Sequence, residues 1–111
     1  MRRREYLGQL ELMVLLAVIR GTGESYGVSI SRDICKQSGR EVALPSVYAA
    51  LERLEDKGLI DSALGEPTAK RGGKARTHYR STAAGVKEAR EARDTLMRLS
   101  EALPSWERKP V

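Results

Sequence analysis

Between Pro67 and Lys87 the chain carries Lys70, Arg71, Lys74, Arg76, Arg80 and Lys87 and no acidic residue. A solvated loop has no reason to exclude acids over so long a window. A surface that follows a phosphate backbone does, because each phosphate it neutralises releases condensed counterions. Gly72-Gly73 lets the backbone bend and so place these long side chains. The bland alternative is a solubilising surface loop.

Other chemistry is poorly supplied. His78 is the only histidine and has no nucleophile or carboxylate partner at a recognisable spacing. Cys35 is the only cysteine, so no intramolecular disulfide can form, and its ordinary role is that of a small, partly buried hydrophobe. A zinc site needs more Cys or His, and neither a GxxxxGK[ST] nor a GxGxxG phosphate loop occurs. No enzyme, metal or cofactor is expected.

The elements that would position the cations follow from periodicity. At 111 residues the chain fits one small domain, and with no Phe its core must come from Leu, Val, Ile and Ala. Leu7, Leu10, Met13, Val14, Ala17 and Val18 recur at helical spacing, with Leu12, Leu15, Leu16 and Ile19 around them, which predicts a first helix buried on several sides. Gly21 and Gly23 end it. Ser25 is the expected N-cap of a second helix carrying Tyr26, Ile30 and Ile34 on one stripe and closing near Ser38-Gly39.

A third helix begins near Pro45 and stops before Gly58. Val47, Leu51 and Leu54 share its apolar face, Ser46, Ala49, Arg53 and Asp56 the opposite one, and Tyr48 and Glu52 the flank. An outer face of small, hydrogen-bonding and charged groups can be simply solvated, or it can lie in a groove. Two helices followed by a third of this kind outline a helix-turn-helix. Residues 59–64 and 76–81 read as two strands around a turn-rich tip at 65–75.

The cationic excess lies beyond the third helix: residues 45–60 sum to −1 and residues 61–82 to +3, within a net charge of +5. Thr82 can cap a last helix, Ala83 to Leu103, whose Ala89, Ala92, Leu96, Leu99 and Leu103 step by 3, 4, 3 and 4 as a heptad seam. That seam packs on the chain's own first helix or pairs with a second subunit, and the helix's length on so small a body favours pairing. Pro104 ends it. Trp106, in the tail, is loose, covers the seam or contacts an aromatic ligand.

Arg2-Arg-Arg4 before an apolar stretch resembles the start of a signal peptide, but Gln9 and Glu11 interrupt the run and no small-residue cleavage site follows. The run 12–19 is too short to span a bilayer. A cytoplasmic location without membrane contact is expected.

Taken together, the block 7–16, Tyr26-Gly27, the block 46–60 and the block 70–85 resemble the PadR family of bacterial transcription regulators, in the right order and over roughly residues 7–103. The resemblance implies a mainly α fold with a small β-hairpin, a winged helix-turn-helix over 1–82, and a dimerisation helix and tail over 83–111. Within it, Pro45–Lys57 would be the recognition helix, the 65–77 hairpin the wing, and Ala89, Ala92, Leu96, Leu99 and Leu103 the seam between subunits. The resemblance also implies a homodimeric repressor on a pseudo-palindromic double-stranded DNA operator. Ala49 stands where the family often has proline. Some relatives bind phenolic or drug-like effectors between subunits, but no residue here identifies one.

On that reading Ser46, Ala49 and Arg53 are the base-edge candidates, Arg53 by gripping a guanine. Tyr48 would donate to a phosphate, and Lys70, Arg71, Lys74 and Arg76 would supply phosphate affinity. Two other uses of the same cations stay open: docking an acidic protein, and binding nucleic acid without sequence preference.

Overall fold

The computed structural model describes residues 7–65 and 76–104. Three helices come first, α1 (Gln9–Arg20), α2 (Gly27–Ser38) and α3 (Leu44–Asp56). Two antiparallel strands follow, β1 (Ile60–Leu64) and β2 (Thr77–Ser81), and then a long helix, α4 (Ala83–Ser100). The architecture is mainly α with one small hairpin, as the sequence pattern implies. No described helix is long and apolar enough to cross a membrane.

The core is aliphatic. Val14, Leu15 and Val18 of α1, Ile30 and Ile34 of α2, and Val47, Leu51 and Leu54 of α3 are buried together, with Leu59, Ile60 and Tyr79 closing one end. Each such side chain contributes roughly 1.5–3 kcal/mol by leaving water, so the stripe that the spacing marks on α3 sets which way that helix faces. Leu16, on the far side of α1, stays exposed, so α1 is not buried all round.

Helix ends follow the local chemistry with one exception. Gly39 closes α2 in the left-handed region at φ 74°, and Gly58 at φ 75° turns the chain out of the end of α3 toward β1. Ser25, expected to cap α2, is buried and does other work: its hydroxyl donates to Ala17 O, and its carbonyl accepts from Tyr79 N at 2.8 Å in an isolated bridge to β2. The N-cap is Tyr26, whose N–H donates to the Ser29 hydroxyl at 2.9 Å. Ser25 stands one residue ahead of the N-cap and links α1 and β2 instead of capping α2.

The junction of the hairpin with α4 is tight. Thr82 Oγ1 accepts from Gly85 N at 3.0 Å, capping α4 as expected, and donates to Gly58 O at 2.8 Å. Thr82 N donates to Leu59 O at 3.0 Å. Gly85 lies so close to Leu59 that a Cβ there would overlap the Leu59 carbonyl oxygen. The start of α4 is thus pinned to the exit of α3.

The seam residues of α4 divide into two groups. Ala89 is only 4% exposed and belongs to the subunit's own core, so it has no surface left for a partner, while Ala92 is half-buried. Leu96 (53%), Leu99 (70%) and Leu103 (70%) are open, with Met97 beside them. Regular helix stops at Ser100, and Glu101–Leu103 form a turn short of the expected end at Leu103. The first half of the helix packs on α1, and the second half overhangs.

Helix propensity favours Ala over Gly by roughly 1 kcal/mol in a helix interior. At Gly85 the overlap with a backbone carbonyl outweighs that gain. Gly85→Ala is therefore expected to destabilise the protein by about 2 kcal/mol, read from the urea midpoint at constant slope; a stabilised variant would show that α4 is not seated this closely.

Candidate nucleic-acid interface

At one end of the molecule the starts of α2 and α3 meet the base of the hairpin. Tyr26, Gly27, Val28, Tyr48, Arg76, Thr77 and Tyr79 line an open, largely polar cleft there. Gly27 makes it possible: a Cβ at that position would collide with the Tyr48 ring and hydroxyl, so only glycine lets Tyr48 lie across the first turn of α2. Tyr48 is still 46% exposed. Burial, with Tyr48 and Glu55 nearby, pushes the Tyr79 phenol above its ordinary range.

The hairpin base is tied to α2. The Arg76 guanidinium stacks over the Tyr26 ring, 3.8 Å from its centroid, and the His78 ring meets the same tyrosine edge-on at 6.0 Å. Gly65 N donates to Arg76 O at 2.7 Å and closes the hairpin. Arg76 is therefore the one wing cation of the expected set that is described, and it stands at the cleft. Lys70, Arg71 and Lys74, with the wing tip, lie outside the described residues, as do Trp106 and the arginines of 2–4. Arg80 stands opposite Asp61 in the ladder, so that cation faces a carboxylate position across the sheet.

On α3, Ser46 and Ala49 are exposed on the face away from the core, where the sequence pattern puts them. Arg53 is committed elsewhere as well. Its Nε donates to Glu11 Oε2 at 2.8 Å, and Lys57 Nζ donates to Glu11 Oε1 at 2.8 Å. Burial alone would push the Glu11 carboxyl up, but the hydrogen bonds and charges of Lys57 and Arg53 outweigh it, and the net holds Glu11 below its ordinary value. Sequence reasoning missed this clamp because its members stand 42 and 46 residues apart. It also left Tyr26, Val28 and Thr77 out of the site, although Tyr26-Gly27 was a visible signal.

Three helices in this order, with the third exposing a polar face beside a two-stranded hairpin, define a winged helix-turn-helix. The model of the transcriptional regulator PadR-like family matches residues 15–91, and the chain belongs to that family. Its members are non-enzymatic, DNA-binding transcription regulators.

Similar solved structures include a PadR-like regulator of Bacillus cereus (24% identity, TM-score 0.70, covering 85% of this chain and 86% of that one). A transcriptional regulator of Clostridium thermocellum is 28% identical, with TM-score 0.69, covering 84% and 87%. A PadR family regulator of Clostridium difficile is 19% identical, with TM-score 0.70, covering 86% and 95%. A search of curated proteins gave no match.

The Glu11 clamp has a pH signature. A carboxyl whose folded pKa is depressed stabilises the fold above its unfolded value and loses that contribution as pH falls through the folded one. Glu11→Gln should cost about 1 kcal/mol at pH 7 and little well below 4.5, measured as urea midpoints at both pH values. An equal deficit at both would mean that packing, not charge, is what the substitution removes.

Proposed function

We propose that the chain is a cytoplasmic homodimeric repressor that binds a pseudo-palindromic operator, residues 1–82 reading DNA and residues 83–111 pairing the subunits. The observation that carries this is the exposure of Ser46, Ala49 and Tyr48 on α3, with Tyr48 lining the cleft at the hairpin base. In this reading α3 enters the major groove by its first two turns. Ser46 and Ala49 meet base edges and Tyr48 donates to a phosphate. Arg53 reaches a guanine with the guanidinium edge that Glu11 does not hold.

Affinity comes from the wing. Residues 45–60 sum to −1 and attract no phosphate unaided, whereas Lys70, Arg71, Lys74 and Arg76 supply the counterion release. Repression is the activity that the family resemblance favours. Leu96, Leu99 and Leu103 support the dimer as a row of exposed leucines, continuous with an open groove against α1 lined by Leu7, Leu12 and Ala92.

Replacing both Arg71 and Lys74 by Ala should weaken binding to every duplex alike and flatten the log–log salt slope by about 2, scored by mobility shift across a salt series. Loss of preference for one fragment with an unchanged slope would instead make the wing a reader of sequence. For the dimer, Leu96→Asp puts a charge in the seam and should give monomers in sedimentation. An unaltered dimer would exclude this row as the interface.

A further inference from the structure

The two cations at the C-terminal end of α3 are unusual for a helix offered to DNA, because both are already in use. Ser46, Ala49, Arg53 and Lys57 step by 3, 4 and 4 along one side of the helix, the ridge that carries the base-edge candidates. Where that ridge passes the first turn of α1, Glu11 gives one carboxylate oxygen to Arg53 Nε and the other to Lys57 Nζ, each at 2.8 Å. The Glu11 side chain is only 12% exposed, against 51% for Arg53. The acid is sunk and fixed, and the guanidinium it holds is half open.

Two physical effects follow. A guanidinium held by its Nε has lost part of its rotamer freedom before DNA arrives, so a contact from its remaining N–H edge to a base costs less ordering. A lysine ammonium shared with a carboxylate is a weak attractor of phosphate, which removes sequence-independent affinity from the reading helix. Both raise the ratio of specific to non-specific binding.

Resting on the reading of α3 as the helix that faces DNA, we propose that Glu11 is a specificity-determining residue: it positions Arg53 for one base edge and withholds Lys57 from the phosphate backbone. Glu11 touches no DNA in this assignment and acts through the two cations. The sign of its effect is the distinctive feature, because removing the acid tightens binding to the wrong DNA.

The test compares the full-length wild-type chain with Glu11→Gln on a random-sequence 30-bp duplex and on the duplex that the wild-type chain enriches from a random pool. Glu11→Gln is expected to bind the random duplex about 5-fold more tightly at low salt, with a log–log slope steeper by about 1. Its ratio of selected to random affinity should fall about 10-fold. Adding Lys57→Gln to that variant should return the random-duplex slope to the wild-type value.

A variant that merely loosened α1 from α3 would weaken both duplexes with no steepening. Parallel weakening, or an unchanged slope and ratio, overturns the assignment. Ala49→Asp in the same assay separates this from failure of the underlying reading. If Ala49→Asp abolishes binding to the selected duplex while Glu11→Gln changes nothing, only the role of Glu11 is lost. If Ala49→Asp is also silent, α3 does not face DNA.

Discussion

The burial of Val47, Ala50, Leu51 and Leu54 against α1 and the start of β1 is the constraint on which the rest of the structure depends. A helix of 13 residues has one face to give to a core this small, and giving it fixes everything about the other. Ser46 and Ala49 face outward because Val47 and Ala50 face inward. Tyr48 lies over α2 because the helix is rotated by that packing and because Gly27 has no Cβ to stop it. The polar face is thus a consequence of an aliphatic one, and no polar interaction has to hold the helix in its orientation.

Polar contacts refine what the core sets up, and they do so at both ends of α3. At its exit, the Thr82 hydroxyl joins Gly58 to the first turn of α4, so the helix that carries the exposed leucines cannot swing freely against the helix that carries the polar face. On its flank, Glu11 joins the last turn to α1. Helix α3 is braced from two directions, by a neutral hydrogen-bonded cap and by an ion pair.

The fold was legible in the sequence because it rests on periodicity. The α3 stripe, the Gly39 and Gly58 terminators, the Thr82 cap and the paired strands all express local rules that a linear chain displays. The sequence is silent where a residue has a distant partner. Ser25 looks like a cap until β2 comes back beside it, and Arg53 looks free until α1 is laid across α3. The spacing marks a single seam, whereas Ala89 is buried inside the subunit and Leu96, Leu99 and Leu103 are open, since a period of 3.5 does not say which turns meet which neighbour. The cleft at Tyr26 was half visible: the dipeptide stood out, but the stacking of Arg76 on its ring needs the hairpin in place.

If α3 lies in the major groove and the wing follows the adjacent backbone, chemical interference on a bound DNA fragment tests it most directly. The fragment upstream of the protein's own gene is the natural probe, with guanine N7 methylation reporting the major groove and adenine N3 methylation the minor one. The expected result is loss of binding on methylation of guanine N7 in two symmetric clusters, their centres about 10.5 bp or a multiple of that apart. Interference confined to adenine N3, or spread evenly with no paired clusters, would contradict the placement of α3 as the element that reads DNA.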